Sequence, residues 1–193
     1  MGKREDILAA TLDLVVEEGL ASFSFSKLFE RAKVGAGTVY NYFAGKDALL
    51  EALYANVTAR LDEGVLRGWS PDLPIRAQFE SLLRGFALYA MANPKDIAFV
   101  ETCSLAHAIP RHRKERTTPG QEVSMRLIAQ AQAEGLIRPM APHLGLAIAS
   151  GLVAATISAG AAGKYEFGDA ELEVVIESSW RALATDAGLR AVR

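Results

Sequence analysis

Val34-Gly35-Ala36-Gly37-Thr38-Val39-Tyr40-Asn41-Tyr42-Phe43-Ala44-Gly45-Lys46-Asp47-Ala48-Leu49-Leu50 is the most informative run in the chain. It reads as a very short helical segment, Gly35 to Phe43, broken by Ala44-Gly45 and followed by a longer helix that Lys46 opens. Val39 and Phe43 are one helical turn apart and share a face. Ala36, Gly37, Tyr40 and Asn41 are left on the other. A helix this short buries little surface. Its outward face is small or polar and carries no charge, so it is suited to being presented rather than packed.

The flanking sequence supplies a support for it. Phe25 to Ala32 reads as another short helix, capped by Ser24, with Leu28 and Phe29 inward. Before it, a helix from Arg4 to Glu18 places Ile7, Ala10, Thr11, Leu14 and Val15 in one stripe and stops at Gly19. Two short helices joined by a tight turn behind a longer one are what a helix-turn-helix requires, with the N-terminal residues of the second short helix reaching base edges.

Downstream, the Lys46 helix runs to about Leu66 on Leu49, Leu50, Leu53, Tyr54, Val57 and Leu61. Gly68 to Pro74 is a connection, and a helix follows from Ile75 to Ala92. Asn93-Pro94 is a cap followed by proline at the first helical position, starting a helix to about Ala108. The basic run Arg111, His112, Arg113, Lys114 and Arg116, opposed only by Glu115, reads as a solvated loop. Thr118-Pro119 repeats the cap-and-proline pattern with Gln121 at the capping-box position, and that helix ends at Gly135. Pro142 opens a helix of small residues that Gly163 closes, and Asp169 caps a last helix running to Gly188. The sum is about nine helices and no strands. The expected architecture is all-α: a three-helix helix-turn-helix domain over 1–48, then a larger helical ligand-binding and dimerisation domain over 49–193.

Net charge is −2, so any contact with a polyanion must come from a local surface. A single cysteine, Cys103, excludes an intrachain disulfide and suits a cytoplasmic protein. The first residues lack the apolar core of a leader peptide. Leu144 to Ala162 approaches the length of a membrane span, but Ala, Gly and Ser dominate it; a buried helix is expected, and no membrane. No nucleophile elbow, phosphate loop or acid pair points to catalysis. Cys103 and His107 stand one turn apart, yet His112 and His143 add no ligand at metal spacing, so neither metal nor cofactor is expected.

Ile7-Leu8, Ala10, Leu12, Leu14, Glu17 and Gly19, followed by Val34, Gly37 through Phe43, Lys46-Asp47 and Leu49-Leu50, resemble the DNA-binding domain of the TetR family of bacterial regulators. The resemblance spans Ile7 to Leu53. Departures from the usual pattern are Ser24 for threonine, Phe29 for alanine, Lys33 for the turn glycine and Gly35 for a capping serine. Lys33 is strained if the turn needs a positive φ.

The resemblance implies that Ala36, Gly37 and Tyr40 sit nearest the bases, that Thr38, Asn41, Tyr42 and Lys46 hold phosphates, and that Ser24 and Lys27 add backbone contacts. It also implies a flexible arm at Lys3 and Arg4. With no arginine on the recognition segment to read guanine, specificity would rest on apolar contact, close backbone approach and DNA shape. Further, it implies a homodimer on a roughly palindromic double-stranded operator, released by a mostly apolar small-molecule effector. Candidate effector-lining residues are Phe79, Leu83, Phe86, Tyr89, Phe99, Cys103 and His107. For the dimer contact, the small-residue helix offers Gly145, Ala149, Gly151, Ala154, Ala155, Ser158 and Ala162, and the last helix Leu172, Val175, Ile176, Ser179, Trp180 and Leu183. The competing reading is a helical carrier or enzyme with a vestigial DNA-binding domain.

Overall fold

A computed structural model describes residues 2–105 and 117–190. These form α1 (Lys3–Glu18), α2 (Phe25–Ala32), α3 (Ala36–Tyr42), α4 (Lys46–Val65), α5 (Ile75–Ala92), α6 (Pro94–Leu105), α7 (Pro119–Ala133), α8 (Pro142–Ala161), α9 (Asp169–Leu183) and α10 (Asp186–Arg190). A 3₁₀ turn, Leu20–Ser22, links α1 to α2. Among the described residues the only β feature is an isolated bridge, Ile137 with Ala184. The fold is all-α, with a helix-turn-helix at the N-terminus followed by helical layers. The tail of the expected α6 helix, with His107, and the basic run 111–116 lie outside the described residues.

The described residues fall into two compact units. One takes the residues up to Arg60 and those from Asn93; the other takes Leu61–Ala92 and those from Thr117 on. In the first unit Ile7, Leu14 and Val15 of α1, Leu28 of α2, Val39 of α3, and Leu49, Leu53 and Val57 of α4 close one core. Phe99 and Cys103 of α6 are fully enclosed in the same core. Charge ties α6 down as well. The Arg60 guanidinium donates to both oxygens of the nearly buried Asp96 at 2.8 Å, and Lys95 bridges to Asp13 at 2.5 Å and to Glu17 at 3.4 Å.

In the second unit α8 packs on α5, α7 and α9. Phe79 and Trp180 meet edge to face at 5.2 Å, and the Arg76 guanidinium lies 4.8 Å over the Trp180 ring while pairing with Glu80 and Glu177. Thr118 caps α7 through the reciprocal box with Gln121. Asp62 reinforces that cap, accepting from the Thr118 hydroxyl at 2.7 Å and from the Gly120 N–H at 3.2 Å. Burial pushes the Asp62 carboxyl above its ordinary pKa, and those two hydrogen bonds pull against it.

Four expectations need correction. The last helix does not run to Gly188: α9 stops at Leu183, because Ala184 and Thr185 leave the helix to pair with the α7–α8 connection. There the Arg138 N–H donates to Leu183 O and the Thr185 N–H to Leu136 O, each at 2.9 Å. The cap of α9 is Gly168, whose N–H donates to Glu171, and Asp169 is the first helical residue. Helix α8 is not a buried helix: Gly145, Ala149 and Val153 turn inward, while Leu144, Ala147, Gly151, Leu152 and Ala155 stay exposed. Conversely Leu172, Val175, Ile176, Ser179, Trp180 and Leu183, offered for a contact between subunits, are consumed by the core of their own chain. Period alone says that a stripe is buried, not which surface covers it.

Backbone comes close to backbone in the second unit at Gly85. A Cβ there would lie 2.6 Å from the carbonyl oxygens of both Gly64 and Val65, and a backbone cannot swing aside as a side-chain tip can. Gly85→Ala is expected to destabilise the protein by about 1–3 kcal/mol through overpacking, read as a lower urea midpoint.

Candidate nucleic-acid interface

Local chemistry sets the angle between α2 and α3. The Ser24 hydroxyl accepts from the Lys27 N–H at 3.4 Å and starts α2. Lys33 ends it with φ 52° and ψ 45°, the only positive φ outside glycine among the described residues. This left-handed residue reverses the chain, letting the Val34 N–H return to Phe29 O at 3.2 Å. Gly35 is the cap of α3 and lends no side-chain acceptor.

The seven-residue α3 hangs on two anchors, Val39 at 0% exposure and Phe43, just past its end, at 4%. Ala36, Gly37, Tyr40, Asn41 and Tyr42 are all exposed, and Thr38 is half-buried. Tyr40 is 54% exposed and Tyr42 48%. Among the described residues, the side chains of Thr38, Tyr40, Asn41 and Tyr42 have no hydrogen-bond partner within the chain. Their donors and acceptors are therefore open to a ligand. Nothing lies within 4 Å of the position a Cβ would take at Gly35 or Gly37.

The basic residues stand differently. Lys46 is partly buried at the start of α4; its ammonium donates to Leu20 O at 3.3 Å and lies 5.3 Å over the Phe23 ring. Those contacts aim it and leave further N–H donors. Lys27 is paired with Glu18 at 2.5 Å and donates to Ser22 O at 3.2 Å, so Glu18 competes with any phosphate there. Arg31 pairs with Glu17 at 2.9 Å, and that hydrogen bond holds the Glu17 carboxyl below its ordinary pKa. Lys3 and Arg4 form no flexible arm: both are in α1, where the Arg4 guanidinium lies 5.6 Å over the Phe43 ring.

Residue periodicity did not reveal the ring contacts behind Tyr40. Phe25 touches Tyr40, with 5.5 Å between ring centroids, and Phe29 stacks on Phe25. The available signal was their spacing, one helical turn apart on α2.

The candidate effector residues divide between the units. Phe79, Leu83 and Phe86 pack in the second unit's core, and Tyr89 packs over Gly64. Phe99 and Cys103 belong to the first unit's core. An open hollow of about 410 Å³ on α7, lined by Glu122, Met125, Arg126 and Ala129, includes none of them.

The family profile described as "Bacterial regulatory proteins, tetR family" matches residues 7–53, and "Tetracyclin repressor-like, C-terminal domain" matches 54–185. An HTH-type transcriptional regulator of Haemophilus influenzae is 28% identical over 181 residues, 93% of this chain and 94% of that protein. The structure of a TetR-family protein from Vibrio parahaemolyticus superimposes with TM-score 0.82 at 29% identity, covering 95% of this chain and 99% of that one. A TetR-family transcription regulator from Marinobacter aquaeolei shares the fold with TM-score 0.87 at 21% identity, covering 94% and 95%.

The left-handed Lys33 is a local strain of roughly 1–2 kcal/mol for a residue bearing a Cβ. Lys33→Gly removes that strain but adds entropy to the unfolded chain. The expected result is a net stabilisation of about 1 kcal/mol in urea denaturation.

Proposed function

We propose that this chain, which belongs to the TetR family of bacterial regulatory proteins, is a dimeric repressor that leaves its operator when a small, mostly apolar effector binds. It is a transcriptional regulator with a helix-turn-helix, and the observation that carries the finer reading is Gly37. A glycine within a helix costs stability relative to alanine. Neither packing nor a positive φ accounts for it, since a Cβ would enter open space. The requirement is therefore external: a surface that comes close to the α3 backbone, as a groove edge does. Ala36, Gly37 and Tyr40 then face bases, while Thr38, Asn41, Tyr42 and Lys46 take phosphates, with Ser24 and Lys27 at the margin. Lys46 also stands at the N-terminus of α4, where the helix dipole favours an anion.

The dimer reading is supported by α8. Pro142–Ala161 is long and apolar enough to cross a membrane, with mean hydropathy 1.8 and only 17% of that window buried within the chain. Its inner side is engaged by α5, α7 and α9, so it sits as one member of a helical layer and not as a helix surrounded by lipid. The open strip Leu144, Ala147, Gly151, Leu152 and Ala155, with the 64%-exposed Val174 on α9, needs a cover. A second copy presenting the same strip provides one, and small residues allow close approach. Two heads related by that axis fit a roughly palindromic operator.

The effector site is assigned to the second unit, where α5 carries Phe79, Leu83, Phe86 and Tyr89. An effector releases DNA only if it binds the DNA-incompetent state more tightly than the competent one. The protein works in the cytoplasm, with no catalytic step, metal or cofactor.

The test is fluorescence anisotropy on the DNA flanking its own gene. Gly37→Ala is expected to raise folding stability by about 0.5 kcal/mol through helix propensity. The same substitution should weaken operator binding at least about tenfold, a loss of roughly 1.4 kcal/mol. A Gly37→Ala protein that binds the operator as tightly as wild type contradicts the assignment.

A further inference from the structure

A line of rings runs across the surface of the head and ends at Tyr40. Phe25 and Phe29 of α2 stack with 6.0 Å between centroids and 28° between planes. Tyr40 of α3 leans on Phe25 at 5.5 Å and 38°. The buried Phe23 meets Phe25 edge-on at 6.1 Å and 68°, and the Lys46 ammonium lies over Phe23. These distances fall in the range where aromatic rings attract one another.

The tyrosine ring is otherwise held by little, being 54% exposed with no hydrogen bond within the described chain. Left alone, it would sample several rotamers and be ordered only on binding, at an entropic cost. The ring line does that ordering within the folded protein. Such preorganisation matters here because α3, AGTVYNY, has no charged side chain. Without a bidentate arginine, base identity must be read by groups whose position counts more than their charge. A ring edge set against a thymine methyl is one of these.

We propose that Phe25 and Phe29 are positioning residues of the reading head: their stacked rings fix the angle of Tyr40, so the sequence preference of α3 is set partly by two residues of α2 that act through it. This inference rests on the reading of α3 as the base-reading helix.

The test uses the full chain and the duplex it selects from a random-sequence pool. Each thymine of that duplex is replaced in turn by deoxyuridine, which removes only the methyl group. Wild type is expected to lose about fivefold in affinity at one or more thymines per half-site, and Tyr40→Ala to lose that sensitivity. Phe29→Ala should bind the selected duplex about tenfold more weakly. It should bind an unrelated duplex as wild type does, with the same salt dependence, and show little of the thymine effect. Phe25→Leu, which keeps apolar volume and removes the ring, is expected to behave alike and stands in should Phe29→Ala fail to give a cooperative thermal melt. Folded variants that keep the full thymine effect and the wild-type preference would overturn the proposal. So would a wild type that binds its selected duplex with no thymine effect. A wild type that selects no sequence overturns the reading of α3 itself, and the positioning role with it.

Discussion

Two apolar side chains, Val39 and Phe43, hold α3 to the rest of its unit. A seven-residue helix is too short to persist alone in water, because nucleation fixes several residues before hydrogen bonds accumulate. It exists because those anchors enter a core already formed by α1, α2 and α4. Two anchors on one side of so short a helix leave the other side exposed. The sequence fills that side with alanine, glycine, tyrosine and asparagine, whose side chains make no hydrogen bond within the described chain. Packing and presentation are thus two faces of one constraint.

Much of the first unit serves that constraint. Ser24 and Lys33 fix where α2 begins and ends, and Lys33 does so at the expense of local strain. The aromatic line from Phe23 through Phe25 to Tyr40 steadies the outward face without covering it. Helix α6 follows α5 in the chain but gives Phe99 and Cys103 to the first core and Asp96 to Arg60. The second unit follows another rule. Its inner stripes, including Trp180, Ile176 and Leu183, are consumed within the chain, and what α8 and α9 leave over is a small, apolar outer strip.

The helix limits were largely legible in the sequence, because caps and glycines write them locally. Ser24, Pro94, Thr118 with Gln121, and Pro142 each stand at the start of the helix they mark, and the strain at Lys33 followed from a missing turn glycine. What was not legible was which surface covers which. The stripe on α9 was rightly buried, but its partners are α5 and α8 of its own chain. Helix α6 joins the first core through Phe99 and Cys103 and a charge pair between Arg60 and Asp96, and no periodicity encodes that partner. The break before α10 follows from the pairing of Ala184 and Thr185 with the α7–α8 connection, against which Gly188 lies so closely that a Cβ there would meet Leu136 O. Within the head, outward residues followed from subtraction of the anchors, whereas the pairing of Lys27 with Glu18 and of Tyr40 with Phe25 needed three dimensions.

The central claim is that two copies of this exposed helix, related by a two-fold axis, read one duplex. Hydroxyl-radical footprinting of the wild-type protein on the DNA flanking its own gene tests it most directly. The account predicts two protected patches of similar size on one face of the duplex, symmetric in sequence, with centres one helical turn or a small multiple of it apart. A single asymmetric patch, or uniform protection that does not depend on sequence, contradicts it.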